Sequence, residues 1–161
     1  MTKTLIEEEG DYMYQLKLAT TEKEILEFEK MRTQVYAQKE INGLDQASYA
    51  DGITSGDLLA FQCLQDKELV GGMLVQLNGK NLGLTRLFVK PSARKKGAGS
   101  FMIDYLVKHR EFFEDYYGTD IRGILAEPLQ SSVDYYFDKG FDYSGFQMYK
   151  PYQKRKKGRP Y

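Results

Sequence analysis

The apolar positions change period along the chain, and each change marks an element. "YMYQLKLAT" (Tyr12–Thr20) alternates as a half-buried strand does. Thr21 and Glu24 have the spacing of a capping box, which predicts a helix after them. Ile25, Phe28 and Val35 share one face of that helix, and Arg32 falls in the same stripe. The pattern predicts an arginine at the edge of the core, its stem covered and its head in water. A role in a site is the alternative. "INGLDQASYADGITSGD" (Ile41–Asp57) loses the period and predicts a loop with at most a short helix. A connection of that length is more often functional than idle. "LLAFQCLQ" and "ELVGGMLVQL" flank Asp66-Lys67 and predict a hairpin. "NGK" (Asn78–Lys80) is the next turn, and "LGLTRLFV" (Leu82–Val89) the fourth strand.

From Gly99 the spacing becomes helical. Met102, Tyr105, Leu106, His109, Phe112, Phe113 and Tyr116 predict one long helix that stops near Gly118. "IRGILAE" (Ile121–Glu127) reads as a strand closed by Pro128, and "SSVDYYFDKG" as a short helix with Gly140 past its end. Two short strands flank Ser144-Gly145 in "FDYSGFQMYK" (Phe141–Lys150). The long helix can cross over between parallel strands. The expected class is therefore α/β (α+β): a mixed central sheet, antiparallel in its first strands, with a parallel pair in the middle and helices on both faces. The expected organisation is an acidic, flexible arm over residues 1–11, one domain over 12–151 and a basic tail over 152–161.

Composition narrows the chemistry. The 161 residues suit one domain with a real core. Lys+Arg and Asp+Glu both number 23, so no overall field draws the chain to nucleic acid or to an anionic membrane. Cys63 is the only cysteine and His109 the only histidine, which argues against a disulfide and against a metal. Both lie on apolar faces and read as structural. No apolar stretch approaches the ~20 residues of a membrane span. The start lacks the basic-then-apolar order of a secretion signal, so a cytoplasmic protein is expected.

"RLFVKPSARKKGAGSFM" (Arg86–Met102) carries the main candidate chemistry. A helix N-terminus offers free N–H groups and partial positive charge. Gly97 and Gly99 lack Cβ, so an oxyanion can come close. Arg94, Lys95 and Lys96 add full charges, and a diphosphate fits on both counts. Met102 stands where a dinucleotide fingerprint has its third glycine, and the Gly-Lys-Ser ending of an ATP loop is missing. Taken alone, a solvated basic turn is the better reading.

The stretch does not stand alone. It resembles the acyl-CoA-binding motif of the GNAT acetyltransferase superfamily, Gln/Arg-x-x-Gly-x-Gly/Ala, through Arg94, Gly97 and Gly99. "YYFDKGF" (Tyr135–Phe141) resembles that family's Tyr-x-x-x-Gly-Phe through Tyr136, Gly140 and Phe141, and "MYKP" (Met148–Pro151) its last strand. The likeness runs from about Tyr12 to Pro151. It implies acetyl-CoA as cosubstrate and a fourth and fifth strand that splay apart. It also implies that the backbone of Leu87, Phe88 and Val89 holds the pantetheine arm. The backbone of Arg94, Lys95, Lys96, Gly97, Ala98, Gly99 and Ser100 would hold the pyrophosphate. An acceptor amine would attack the thioester in a ternary complex, and Tyr136 would protonate the leaving thiolate. Tyr135, next door, faces elsewhere on the helix and reads as packing.

The match has gaps. The fourth-strand glutamate of many members is missing, since Gly83, Leu84 and Thr85 stand there. Glu127 is the candidate base, with ordering of the Pro128 turn as the equal alternative. The asparagine often found early in the short helix is replaced within Leu129-Gln130-Ser131-Ser132. The first helix and its loop would shape the acceptor pocket, with Arg32, Tyr36 and Asp51 as candidates and Glu40, Asp45, Tyr49 and Asp57 nearby. The aspartates suit a cationic small-molecule or peptide amine. "MRTQVYAQKE" (Met31–Glu40) also resembles acyl-homoserine-lactone synthases, which leaves a carboxylate or acyl-chain partner open. A second copy of the chain is a further candidate partner. Two other readings stand beside the enzyme. One is a non-catalytic acyl-CoA-binding module. The other is a nucleic-acid-associated acyltransferase that uses "KRKKGRPY" (Lys154–Tyr161), which resembles minor-groove hooks.

Overall fold

The computed structural model describes residues 14–38, 47–127, 132–145 and 147–154. The expected acidic arm, Glu40, Asp45 and most of the basic tail lie outside them. The elements are β1 (Tyr14–Leu18), α1 (Glu22–Gln38), α2 (Ala50–Ser55), β2 (Leu59–Gln65), β3 (Glu68–Asn78), β4 (Asn81–Val89), α3 (Ala98–Lys108), α4 (Arg110–Tyr117), β5 (Gly123–Ala126), α5 (Val133–Asp138), β6 (Asp142–Ser144) and β7 (Gln147–Pro151). One 3₁₀ turn, Pro91–Ala93, follows β4. The seven strands form one sheet in the order β1-β2-β3-β4-β5-β7-β6. No helix of the described residues is long and apolar enough to cross a membrane.

Local chemistry explains most boundaries. Thr21 Oγ1 accepts from the Glu24 N–H at 3.1 Å and the Thr21 N–H donates back to Glu24 Oε1 at 3.1 Å, the reciprocal capping box that starts α1. Asp66 and Lys67 both have positive φ (51° and 70°), the twist that joins two antiparallel strands through two residues. Helices α3 and α4 carry the chain from β4 across to β5, so that pair runs parallel while β1 to β4 are antiparallel.

The sheet separates two cores. Phe61, Met73, Leu82, Leu84, Ile124 and Met148 pack with Met102, Leu106 and Phe113 of α3 and α4. Ala60, Leu74 and Phe88 pack on the other face with Phe28, Val35 and Tyr36 of α1 and Ile53 of α2.

The expected single long helix is two helices. It breaks at His109 (φ −107°, ψ 34°), whose ring lies 4.3 Å from that of Tyr105. The turn brings Phe113 and Glu114 both into the interior. The Glu114 carboxylate there accepts from the Ile121 N–H at 2.9 Å and faces Arg110 Nε at 3.5 Å. One non-helical residue hardly disturbs a three-and-four spacing, so the break is invisible in the pattern.

The strand that matters most is irregular. Leu74 lies opposite Arg86 but Val75 opposite Leu84, so Thr85 is an extra residue in β4. Such a bulge bends its strand and increases the twist. Pairing of β4 with β5 runs from Asn81 to Leu84 and stops there, while pairing with β3 continues to Val89. The bulge also changes which residues face which core. Leu82 and Leu84 point to the α3 side before it, and Leu87 and Val89 after it. Phe88 turns to the α1 side.

Candidate functional site

The splay leaves the last residues of β4, among the described residues, with a strand on one side only. Carbonyls in this segment accept from side chains: Thr85 from Arg86 Nη1 at 2.6 Å, Leu87 from Tyr36 Oη at 3.1 Å and Val89 from Arg94 Nε at 3.1 Å. A cleft of ≈ 360 Å³ opens here. Leu87, Phe88 and Val89 form one wall, the turn from Ala93 to Ser100 closes the end, and Ser132, Tyr135 and Tyr136 form the opposite wall. The cleft thus gathers every residue the sequence suggested for cofactor binding except Lys96.

The closing turn has the chemistry of an anion cradle. Gly97 precedes α3 with φ +97° and supplies no side-chain cap, so the first-turn N–H groups are left to a ligand or solvent. A Cβ on Gly97 would meet nothing within 4 Å, which leaves open space over the backbone. Lys95 also has positive φ (65°), a strained conformation for a residue with a Cβ. Gly99 is different: a Cβ there would lie 2.9 Å from Tyr135 Oη. That hydroxyl is 3.3 Å from Ser100 Oγ, so Tyr135 rests on the first turn of α3. Tyr135 packs against the core, as expected, and also lines the cleft. Nothing in its local spacing shows this, since it depends on how α5 docks on α3.

The Tyr-x-x-x-Gly-Phe segment has a local explanation. The Phe141 N–H bonds the Tyr136 carbonyl (3.0 Å) and the Gly140 N–H the Phe137 carbonyl (3.0 Å). With Gly140 at φ +93° this is a Schellman stop to α5. Its usual apolar contact is Phe141 against Tyr136, ring centres 5.2 Å apart and perpendicular. The motif thereby pins the ring of Tyr136 at the cleft. Burial pushes the Tyr136 phenol well above its ordinary pKa, with Tyr36 and Tyr135 adding to the effect. The hydroxyl holds its proton at any working pH.

A sequence model of the acetyltransferase (GNAT) family matches residues 18–141. The chain belongs to that family. Its fold is similar to solved GNAT-type structures. An acetyltransferase from Thermus thermophilus shares 14% identity at TM-score 0.65, covering 84% of this chain and 96% of that one. The PaiA N-acetyltransferase from Thermoplasma acidophilum, solved in complex with coenzyme A, shares 16% at TM-score 0.61, with 86% and 99% covered. Tetrahymena GCN5 shares 13% at TM-score 0.64, with 84% and 94% covered. No curated protein matches the chain.

In this GNAT chain the α1–α2 side of β4 is built around an enclosed ion pair. Arg32 is fully buried, not at the core edge as its stripe suggested. Its Nε meets Glu29 Oε2 at 2.6 Å, and its Nη2 donates to Glu29 Oε1 (3.0 Å) and to the Ala47 carbonyl (2.6 Å). Glu29 Oε1 also accepts from the Tyr49 N–H at 2.6 Å, and the guanidinium lies 4.4 Å from the Tyr49 ring centre. Arg32 therefore ties α1 to the segment entering α2. Arg86, which the sequence reading did not single out as a site residue, donates to Tyr49 Oη at 3.1 Å. Arg32, Tyr36, Asp51 and Glu127 do not line the 360 Å³ cleft. Asp51 is exposed in the first turn of α2. Glu127 is exposed just past β5 and accepts from Gln147 Nε2 at 3.2 Å. A second cavity of ≈ 490 Å³, between α2, α4 and the adjoining ends of β1 and β2, shares no lining residue with the cleft.

Proposed function

We propose that the protein is an N-acetyltransferase that takes acetyl-CoA as acyl donor and a small-molecule or peptide amine as acceptor. The observation that carries this reading is the joining, in one cleft, of the end of β4 that β5 leaves, an uncapped helix N-terminus and the buried side chain of Tyr136. An acyl-CoA bound there supplies an activated thioester. The backbone of Leu87, Phe88 and Val89 would hold the pantetheine arm as an added strand. The N–H groups from Arg94 to Ser100, with the charges of Arg94, Lys95 and Lys96, would hold the diphosphate. As the amine forms its C–N bond and the C–S bond breaks, Tyr136 donates to the leaving thiolate.

The acceptor enters from the α1–α2 side, past Tyr36 and Asp51, with Arg32 holding that wall in place. No carboxylate is among the described residues lining the cleft. We assign removal of the amine's proton to Glu127, at the end of the strand across the splay. Glu127→Gln should then flatten the rise of rate with pH, and an unchanged profile would exclude it. The whole reading is tested by calorimetric titration of acetyl-CoA and CoA into the wild type and Gly97→Glu. Binding in the first and none in the second is expected. Failure of the wild type to bind overturns the proposal, and unchanged affinity in the variant removes the turn from it.

A further inference from the structure

Tyr14 opens β1, at the edge of the sheet and three strands from β4. Its ring is buried and lies 5.5 Å from that of Phe101 in α3. Its hydroxyl donates to the carbonyl of Lys96 at 2.9 Å, a bond between residues 82 positions apart. Lys96 is the one member of the diphosphate turn that does not line the cleft.

The carbonyl of Lys96 and the N–H of Gly97 belong to the same peptide unit. In a planar trans peptide these two groups point in opposite directions. A carbonyl held toward Tyr14, which does not line the cleft, turns the Gly97 N–H away from Tyr14, and Gly97 does line the cleft. Rotating this peptide changes ψ of Lys96 and φ of Gly97, and Gly97, at φ +97° here, tolerates either sign of φ. The hydroxyl selects one of two orientations.

We infer that Tyr14 is a positioning residue for the acyl-CoA, fixing the Lys95–Gly97 turn so that the Gly97 N–H is aimed at the diphosphate before the ligand arrives. The inference rests on the proposed acyl-CoA site. Nothing in the β1 sequence suggests it, because the contact exists only once α3 packs on the sheet.

Tyr14→Phe keeps the ring on Phe101 and removes only the hydroxyl. Affinities for CoA and for pantetheine, which has the arm but no diphosphate, are measured by calorimetry and by displacement of CoA. The expected result is CoA binding weaker by about three- to tenfold, the scale of one net hydrogen bond, with pantetheine unchanged. Equal weakening of both ligands indicates general loosening and overturns the inference, as does unchanged CoA affinity. Wild-type protein that binds no CoA overturns the acyl-CoA site itself. Wild-type binding with an unaffected variant overturns the role of Tyr14 alone.

Discussion

Replacing Tyr136 by Phe isolates a single oxygen. The ring contacts, 5.2 Å to Phe141 and 5.6 Å to Tyr135, do not involve it. Neither does the backbone bond from Phe141 that ends α5. The fold and the cleft should therefore survive. What disappears is a donor whose proton is held by burial. An ordinary thiol has a pKa of about 8.5, below that of the buried phenol. In the proposed reaction the hydroxyl would stabilise the departing thiolate as a hydrogen-bond donor before passing on its proton. Removing one preorganised donor from a developing anion in a closed site costs about 2.7–4 kcal/mol, or roughly 10²–10³ in turnover. The assay is thiol release at saturating acceptor, alongside calorimetric affinity for acetyl-CoA. Turnover should fall by that factor while affinity changes by less than about threefold, the scale of one weak neutral contact. Turnover within fivefold of wild type, or equal losses in turnover and affinity, would refute the role.

Three further outcomes follow from contacts in the structure. In Gly99→Ala the new Cβ would press on Tyr135 Oη at 2.9 Å but stand 3.6 Å from Tyr135 Cζ. Overpacking of this kind costs about 1–3 kcal/mol, so acyl-CoA affinity should fall, and adding Tyr135→Phe should restore it; no recovery would show that Tyr135 is not the obstacle. Glu29→Gln leaves the buried Arg32 beside a neutral partner, a change of about 3–5 kcal/mol. At about 2–4 °C per kcal/mol for a domain of this size, Tm should drop on the order of 10 °C, and a drop under about 2 °C would contradict the enclosed pair. Burial tends to raise Glu24, but Lys17 and the N–H groups of Thr20 and Thr21 outweigh it and hold the carboxyl at about 2, against 4.5 unperturbed. A depressed folded-state pKa stabilises above 4.5, and that contribution is lost as pH falls from there toward 2. The stability gap between wild type and Glu24→Gln should close over this window, and a gap independent of pH would show that the capping box does not depend on the charge.

What the sequence determined by itself is what neighbouring residues settle among themselves. The capping box at Thr21, the hairpin at Asp66-Lys67 and the strand, turn and helix from Leu82 to Met102 all rest on backbone preferences within a few positions. The geometry of the Arg94–Ser100 turn was legible for that reason, and so was the placing of Tyr136, whose motif is a helix stop plus one ring contact. Even the bulge leaves a trace. Leu82 and Leu84 keep one phase, and Leu87 and Val89 resume in the other. Only the register against β3 shows that Thr85 absorbs the slip and that β4 leaves β5 there. The stripe placed Arg32 on the inner face, but only the approach of the segment around Ala47 and Tyr49 enclosed it. Tyr135 on Ser100 and Tyr14 on Lys96 are contacts between residues 35 and 82 positions apart. No local rule reaches that far. Which side chains close a cleft is decided when helices and strands bury their apolar faces together, and polar groups carried along must then find partners wherever the packing leaves them.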